Sequence, residues 1–577
     1  MSHLHNILPQ PMYARYLAET ADFNRDFVKK NLSAQEQELL RKFKTTEGDE
    51  KQAREREVLA RQLIKAQADA YYNADGSPKA GALRKAGVTS GLGYNFYDLR
   101  APVQLSYPVN VPFRNMLPRV GRVNDGYGVA AHWMATRNFG TVYAGVSEGQ
   151  RNQLATPDQN NYTATYKEIG VERGVTFTAQ FAGEGFSDNV ADEHLRGLHE
   201  LWLQEEALML MGNSGTASGN NGYLLGTTNT PVNALVTATS PIGSGVNVTV
   251  YCIAMTGLAN PNNTQYGYGL FPTATSGLTP TYTRTNQDGS TTVVNGGMGI
   301  ISAASNTVVT TGGAQVVTST VTATKGAFSY AWYVSINASP ITANAYLYSI
   351  TTVPTVTINS NPVNTNQAAN AAGLTTDHSN NPTDFDGLLT YAAATAGTYW
   401  KDLGGATLTS GKDGTVVEIE AALQDRWTQY QAEVDEIWCG TQARITLDQA
   451  IRYSGTASPA FRFEYSRDAQ NNLLGGYVVS AYQSKWSLNS RGGAAIPVRH
   501  HPMLPPGCIF FHVKTNPYPH SRIPFVAGML VQREYYSIEW PLVTRQWTFG
   551  TYVHEVLAHN LPWISGFLSS VGPFVGN

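Results

Sequence analysis

A stretch of 164 residues that is almost free of charge most limits the folds open to this chain. Runs of β-branched and aromatic residues, such as Val246–Ile253 and Ala331–Ile336, alternate within residues 213–376 with turn-forming segments. Such alternation is typical of short antiparallel strands joined by tight turns. The charged residues in this stretch are Arg284, Asp288 and Lys325. We therefore predict an all-β domain.

The spacing of these runs predicts a two-sheet β-sandwich of immunoglobulin-like type over residues 213–376. Cys252 is the only cysteine in this segment, so the usual disulfide between the sheets is missing. Residues 101–212 and 377–577 flank the segment and have an ordinary α+β composition. Inserted domains usually enter at exposed loops. We therefore predict one α+β domain that is interrupted by an inserted sandwich.

The N-terminal residues 1–100 differ from both of these zones. The first 75 residues hold 12 basic and 12 acidic side chains, and Ser33–Glu36 matches a helix capping box. Helical periodicity without a broad apolar face predicts a charged helical arm that cannot bury a core of its own. The arm is either a solvated segment or one that packs on partner subunits.

A second extended feature is predicted between residues 129 and 181. Residues 129–146 and 170–181 have strand-like patterns, and the polar stretch 147–160 separates them. Together they predict a long two-stranded arm with a solvated tip. Two strands alone bury too little apolar surface to be stable, so the arm should lie on another molecule. An active-site flap is the alternative interpretation.

Two helices are predicted in the flanking domain. Apolar residues recur at helical spacing after Ser187 or Asp188 and stop at Gly212, which predicts a helix of about 24 residues, roughly 36 Å long. A second amphipathic stripe predicts a helix over residues 415–438. The segment 437–439 also has the pattern of a buried strand.

Charge and cysteine usage exclude several classes of function. The formal net charge is −3, from 40 basic and 43 acidic residues, so no basic surface is available to hold a nucleic-acid backbone, and nucleic-acid binding is not expected as the main function. Cys252, Cys439 and Cys508 form no CxxC pair, which argues against zinc fingers and favours a reducing compartment. No apolar signal region or membrane-spanning stretch is present, so neither secretion nor a membrane location is expected.

The candidate catalytic motifs in the sequence do not have the residue spacing that their chemistry requires. His554-Glu555 and His559 resemble a zinc-protease signature, but the two histidines are five residues apart, where one helical face requires four. No other enzyme signature is complete. We therefore predict a protein that is not an enzyme and that carries no cofactor or metal.

The order of the pieces is informative. A charged N-terminal arm precedes Val111–Arg119 (VPFRNMLPR), which is followed by the two-stranded arm and the long helix. Next along the chain come Phe385–Leu389, the second helix, Leu504–Gly507 and finally Tyr552–His559. This order resembles the major capsid proteins of tailed bacteriophages with the HK97-like capsid fold, some of which carry an inserted surface domain.

The resemblance implies an N-arm, an E-loop at about 137–182, a spine helix, a peripheral domain and an axial domain. It also implies hexamers and pentamers in an icosahedral shell, assembled in the host cytoplasm, that encloses DNA without reading its sequence. Decoration, scaffolding and portal proteins would be possible partners in the virion. The residues then expected at contacts between E-loop and neighbouring subunit are Tyr162, Tyr166, Lys167, Glu168, Glu172 and Arg173.

Two alternatives remain open on the sequence. A cellular nanocompartment shell of the same fold would also lack catalytic motifs. A tail-associated or secreted adhesin would use the sandwich at 213–376 to bind its target. A cargo-enzyme gene nearby would favour the nanocompartment, and glycan or cell binding by the sandwich alone would favour the adhesin.

Overall fold

The computed structural model describes most of the chain beyond residue 108. The described ranges are 109–121, 128–138, 140, 142–183, 188–215, 223–238, 242–259, 277–286, 288–312, 315–411, 415–452, 479–483, 485–486, 495–518, 525–542 and 544–572. The predicted helical arm of residues 1–100 lies outside these ranges. Within them, no helix combines the length and the apolar character needed to cross a membrane.

The N-terminal flank of the insertion contains short strands and one long helix. In chain order its elements are α1 (Pro112–Met116), β1 (Arg119–Gly121), β2 (Ala130–Asn138), β3 (Asp158–Thr165), β4 (Lys167–Thr176), α2 (Phe177–Gly183) and α3 (Asn189–Met211). The carboxylate of Asp188 accepts hydrogen bonds from the Val190 and Ala191 amides at the start of α3, and Gly212 ends the helix. The long helix is therefore confirmed with both of its predicted ends.

The predicted strand over residues 170–181 is wrong in its second half. Strand β4 ends at Thr176, opposite Gln546, and residues from Phe177 onward form the helix α2. The amide of Phe177 still donates to the carbonyl of Arg545 at 3.2 Å, but the neighbouring strand begins at Gln546, so in the described part of the chain no strand lies opposite the residues that follow Phe177. The ring of Phe177 instead packs edge-on against Trp547, with 4.7 Å between the ring centroids.

The uncharged segment folds into strands, as predicted. These are β5 (Val232–Thr237), β6 (Asn247–Met255), β7 (Thr281–Thr285), β8 (Thr291–Asn295), β9 (Val308–Val309), β10 (Gln315–Thr320), β11 (Ser329–Ser335), β12 (Tyr346–Thr351) and β13 (Thr355–Ile358). One sheet has the order β13-β10-β5 and a second has the order β12-β11-β6-β9. Strands β7 and β8 form a separate hairpin.

The two sheets pack face to face around a buried apolar cluster, which we call the sandwich core. Its side chains come from both sheets: Val248, Val250, Cys252, Tyr330, Trp332, Val334, Val317, Val356 and Ile358. Alternate residues of β6, namely Tyr251, Ile253 and Met255, point into a second buried cluster that includes Leu278, Met298 and Leu374. The sheet that contains β6 is thus covered on both faces. This explains why β6 is continuously apolar from Val250 to Met255.

The two ends of the inserted segment lie side by side. The amide of Gly387 donates to the carbonyl of Gly212 at 2.8 Å, and the amide of Asn381 donates to the carbonyl of Asn213 at the same distance. The amide of Ser214 donates to a carboxylate oxygen of Asp386 at 2.7 Å. Adjacent, hydrogen-bonded ends are the geometry that an insertion into a continuous domain requires.

The C-terminal flank supplies most of the remaining body. Its elements are α4 (Leu388–Ala394), β14 (Tyr399–Asp402), α5 (Val417–Tyr430), β15 (Glu436–Cys439), α6 (Thr441–Arg452), β16 (Ala481–Gln483), β17 (Ala495–His500), β18 (Ile509–His512), β19 (Ala527–Glu539), β20 (Gln546–His559) and β21 (Gly566–Ser569). Helices, mixed sheets and the sandwich together give the α+β fold that the sequence predicts.

The second predicted helix is shorter than expected. Helix α5 ends at Tyr430, where Gln431 takes a left-handed conformation with φ of 52°, and it does not continue to residue 438. Residues 436–439, which follow the helix, form strand β15 instead. Strand β15 lies between β17 and β18 in a six-stranded sheet, and all four of its residues are buried. Tertiary pairing therefore overrides the helical periodicity beyond Tyr430.

Both halves of the flanking domain contribute to one sheet. Its order is β1-β19-β20-β4, with β1 parallel to β19 and the other neighbours antiparallel. Helix α3 contacts strands β4 and β20 of this sheet. Because β4 precedes the insertion and β20 follows it, the sheet can form only after the chain has passed through the sandwich.

Candidate assembly surface

Strands β2 and β3 form a two-stranded antiparallel arm, in which Ala130 pairs with Thr165 and Ala135 with Asn160. Within the described residues, neither strand pairs with a third strand. The arm predicted from the sequence is thus present, but its returning strand is 158–165. The segment 170–181 that was expected in this role belongs to β4 and α2.

One face of the arm packs on the body of the same chain. Ala131, Ala135, Tyr162 and Ala164 are buried and belong to the two large apolar clusters of the flanking domain. The rings of Trp133 and Tyr162 stack at 5.8 Å between centroids. The sequence interpretation placed the whole arm on another molecule. Only the opposite face of the arm and its tip are open to a neighbour.

The tip of the arm, residues 143–157, is exposed throughout. The apolar residues of the tip are exposed as well: Leu154 is 95% exposed and Tyr143 is 87% exposed. The tip is ordered by local hydrogen bonds, with the Asn152 side-chain amide donating to the Tyr143 carbonyl at 2.8 Å. Large apolar side chains held in the open on an ordered loop are typical of a surface that meets a partner.

The six predicted contact residues do not lie together on this arm. Tyr162 is on β3 and is buried, and Tyr166 follows it as a partly buried residue. Lys167, Glu168, Glu172 and Arg173 all belong to β4, in the central sheet.

The charged side chains of β4 have partners within the chain. Arg173 forms salt bridges with Glu193 at 3.5 Å and with Glu200, both on α3. Lys167 donates to the backbone carbonyl of Pro382. Glu168 and Glu172 accept hydrogen bonds from tyrosine hydroxyl groups at 3.2 and 2.7 Å, yet both residues remain exposed. Of the six, these two glutamates are the most accessible to another subunit.

A network of charged side chains fixes the start of the described chain to the long helix. We call it the ion network; its members are Arg114, Arg119, Glu205, Glu206, His501, Tyr535 and Glu555. Arg119 forms salt bridges with Glu205 and, at 2.7 Å, with Glu555. Arg114 also reaches Glu205, at 3.2 Å, and the hydroxyl of Tyr535 donates to the same carboxylate. Both arginines are largely buried and all three glutamates are fully buried, so each charge needs its partner.

Glu206 binds the N-terminal helix α1 directly. Its carboxylate accepts from the backbone amides of Phe113 at 2.8 Å and Arg114 at 2.7 Å. It also contacts Nε2 of His501 at 2.7 Å, while Nδ1 of His501 accepts from the amide of Met503 at 3.1 Å. Because Nδ1 is an acceptor, His501 is the neutral Nε2–H tautomer and donates to Glu206.

The sequence interpretation missed both glutamates. Glu205 and Glu206 interrupt an otherwise apolar stretch of helix α3 and lie on its buried side. Two adjacent acidic residues among leucines and methionines are the signal that the sequence offers, since buried carboxylates need partners.

The third glutamate of the ion network, Glu555, has a shifted pKa. Burial and the neighbouring Glu205 raise the pKa of Glu555, and Arg119 acts in the opposite direction.

The residues considered for catalysis are placed apart or buried. His554, Glu555 and His559 lie on strand β20, where positions five apart face opposite sides of the sheet. Burial raises the pKa of Cys439 to about 12 and also raises those of Cys252 and Cys508, which makes all three thiols poor nucleophiles. Within the described ranges no group of three His, Cys, Asp or Glu residues could hold a metal ion.

Comparisons with known proteins give similar structures but no similar sequences. The sequence matches no protein-family model and no curated protein. One similar solved structure is the capsid of a native GTA particle, with 7% identity and a TM-score of 0.33 over 83% of this chain and 95% of that one. A second is the capsid of Myoviridae phage XM1, with 8% identity and a TM-score of 0.33 over 84% of this chain and 99% of that one.

A third similar structure is the SrpI encapsulin complex from Synechococcus elongatus. It shows 7% identity and a TM-score of 0.34 over 87% of this chain and 99% of that one.

Proposed function

We propose that this chain is the major capsid protein of a tailed bacteriophage. In this proposal it self-assembles into hexamers and pentamers that form an icosahedral shell around the DNA genome. The role is structural and involves no catalysis. The observation that carries the proposal is the arm of β2 and β3, whose ordered tip holds Tyr143 and Leu154 in the open.

The arm is built to reach beyond its own subunit. Its inner face is already covered by the chain's own body, so a neighbour would contact the outer face and the tip. Exposed Glu168 and Glu172 on β4 are proposed as additional contact residues. The near-neutral charge of −3 suits a container that encloses DNA without adhering to it. Decoration, scaffolding and portal proteins would be its further partners in the virion.

Assembly of the full chain expressed alone tests this proposal. We expect closed shells or capsomer rings in negative-stain electron microscopy. In a Tyr143→Ser/Leu154→Ser variant the assembly constant should fall about tenfold or more, because burial of one such side chain contributes about 1.5–3 kcal/mol. The matched control is Ile341→Ser/Val363→Ser, which removes two apolar side chains that are also exposed but belong to the inserted segment.

Assembly of the arm-tip variant at the yield of the unchanged protein would contradict the role assigned to the tip. A chain that stays a monodisperse monomer, both alone and with the other head proteins of its source, would contradict the capsid function itself. If shells form, their contents separate the two container functions. Nuclease-protected DNA in particles from the source supports a phage head, and a protein cargo supports a nanocompartment.

A further inference from the structure

The ion network contains more carboxyl groups than positive charges. Glu205, Glu206 and Glu555 are fully buried, and the guanidinium groups of Arg114 and Arg119 are the cations that contact the network's carboxylates. The histidine of the network adds no charge, because its Nδ1 accepts a hydrogen bond. An unpaired buried charge is costly. A proton on one of the three carboxyl groups would balance the network.

The hydrogen bonds show which carboxyl group carries this proton. Glu205 accepts from both arginines and from the tyrosine of the network. Glu206 accepts from two backbone amides and from the histidine. Within the described residues, Glu555 accepts only from Arg119, at 2.7 Å to Oε2, and its Oε1 is buried without a partner. Donors hold a carboxylate in its ionised form, so the proton belongs on Glu555.

A proton on Glu555 has an acceptor beside it. The carboxyl groups of Glu205 and Glu555 lie within hydrogen-bonding distance of each other. Two ionised carboxylates cannot form this bond, because neither has a hydrogen to donate. Burial and the neighbouring Glu205 raise the pKa of Glu555, and Arg119 acts in the opposite direction. The geometry and the direction of this shift agree on a protonated Glu555.

The neighbouring strands do not replace this proton. Lys167 pairs with Glu555 across β4 and β20, but its ammonium group donates to the backbone carbonyl of Pro382. On β19, Glu534 is mostly exposed. Burial and the nearby Glu205 carboxylate raise the pKa of the Tyr535 hydroxyl, so Tyr535 stays neutral.

The remaining neighbours come from α1, β1 and α3. Arg114 of α1 forms its salt bridge with Glu205 of α3, not with Glu555. Arg119 of β1 is therefore the positive charge that contacts Glu555 in the described part of the chain. Ionisation of Glu555 would place two carboxylates in contact, both of them bound to this one guanidinium group.

We propose that the proton on Glu555 is a pH-dependent switch that holds strand β1 against the central sheet, and that its loss at raised pH releases β1. Strand β1 has three residues and, among the described strands, pairs with β19 alone, so its opening breaks few hydrogen bonds. Helix α1 stays in place, because Glu206 and the fully buried Phe113 hold it. Release uncovers Met529–Val531 of β19, an open edge that can accept another strand.

The sign of the pH dependence follows from the protonated state. Because the fold favours the protonated form, the pKa of Glu555 is higher in the folded chain than in the unfolded chain. The stabilisation is complete below the unfolded pKa and is lost as the pH rises through the folded pKa. Above that value, the equilibrium constant for opening β1 should rise about tenfold per pH unit. The proposal does not depend on the capsid function, because every group involved lies within one chain.

Hydrogen–deuterium exchange of the full chain between pH 6 and pH 10 tests the switch, with rates corrected for the intrinsic pH dependence of exchange. The reporter is the amide of Met529, which donates to the Pro118 carbonyl at 2.9 Å and loses this bond when β1 leaves. Its protection should fall about tenfold per pH unit above the pKa of Glu555. The amides of Phe113 and Arg114, which are bound to Glu206, should keep their protection.

Glu555→Gln imitates the protonated acid, since its amide is uncharged at every pH and can donate to Glu205. The variant should fold, and the protection of Met529 should no longer depend on pH. The matched control is Glu534→Gln, which changes an exposed carboxylate 4.0 Å from Arg119 and should keep the pH dependence of the unchanged protein.

Four results would overturn the proposal. The first is a protection of Met529 that does not change with pH in the unchanged protein. The second is a Glu555→Gln variant that retains the pH dependence. The third is a Glu555→Gln variant that is unfolded, or already open at β1, at pH 6, because Arg119 would then require an ionised partner. The fourth is a loss of protection at Phe113 in parallel with Met529, which would indicate unfolding of the whole network.

Discussion

The sandwich core and the ion network stabilise their parts of the molecule by different means. The sandwich core is apolar, and the whole segment 213–376 contains three charged residues and no histidine. The ion network places three fully buried glutamates against two arginines and a neutral histidine. Apolar burial has no preferred direction, whereas charged hydrogen bonds require fixed partners at fixed distances.

The two kinds of interaction suit the two regions to different roles. The sandwich core joins strands that all lie within the inserted segment, such as β6 with β11 and β5 with β10. The ion network joins residues that are far apart in sequence, such as Arg119 with Glu555 and Phe113 with Glu206. It fixes residues 113–119 to the long helix α3. The first region should be insensitive to pH and the second sensitive.

The largest effect is expected from Trp332→Ala in the sandwich core. Trp332 is fully buried, and its indole Nε1 donates to Thr351 at 2.8 Å. The substitution should lower the free energy of unfolding by about 4 kcal/mol, because it leaves a large cavity. Chemical denaturation at pH 5 and pH 8 should give the same loss. A loss that changed markedly between the two pH values would break the comparison.

A somewhat smaller effect is expected from Glu206→Ala in the ion network. The change leaves the amides of Phe113 and Arg114 and the Nε2–H of His501 without an acceptor, at a cost of about 3 kcal/mol. Glu206→Gln keeps one oxygen acceptor and should lose about half as much. Denaturation curves would measure both variants.

The matched control for Glu206→Ala is Glu534→Ala. Glu534 is 65% exposed and lies 4.0 Å from Arg119, so its loss should change stability by less than about 0.5 kcal/mol. If Glu206→Ala were equally mild, the carboxylate would not be what fixes helix α1 to α3.

The smallest effect near neutral pH is a dependence of stability on pH from two histidines that lie outside both the sandwich core and the ion network. Burial lowers the pKa of His512 and of His559 to about 3. Between about pH 6.5 and pH 3 the unfolded chain binds protons that the folded chain does not, so stability falls as the pH falls. Each histidine should contribute a slope of about 1.4 kcal/mol per pH unit in this window.

His559→Gln isolates this contribution. Glu555 has a raised pKa and acts in the opposite direction, stabilising the fold as the pH falls, so the variant must be compared with the unchanged protein. The unfolding free energy of His559→Gln should depend less steeply on pH below 6.5. Equal slopes for the two proteins would show that His559 is not held neutral in the fold.

Local sequence signals were sufficient to predict several elements of the fold. Asp188 and Gly212 mark the ends of α3 because helix caps act through hydrogen bonds within a few residues. The uncharged composition of 213–376 predicts its sheets, since a sheet covered on both faces has little room for charge. These features depend on interactions close in sequence or on composition alone.

The ends of other elements could not be predicted from the local sequence. The strand pattern of 170–181 continues past Thr176, but the paired strand begins at Gln546, so β4 stops there. The helical stripe of α5 continues past Tyr430, but the six-stranded sheet takes Glu436–Cys439 as a strand. In both places a partner more than 50 residues away decides the outcome, and periodicity carries no information about it.

The α+β class, the strands of the uncharged segment, the long capped helix and the presence of a two-stranded arm all follow from the sequence alone. Only the completed fold sets which strand returns along that arm, packs the arm's inner face on its own chain, and brings Glu205 and Glu206 to residues 113–119. The physical reason is that helix caps, strand alternation and charge content act over a few residues, whereas ion pairs are made by groups that only the completed fold brings together.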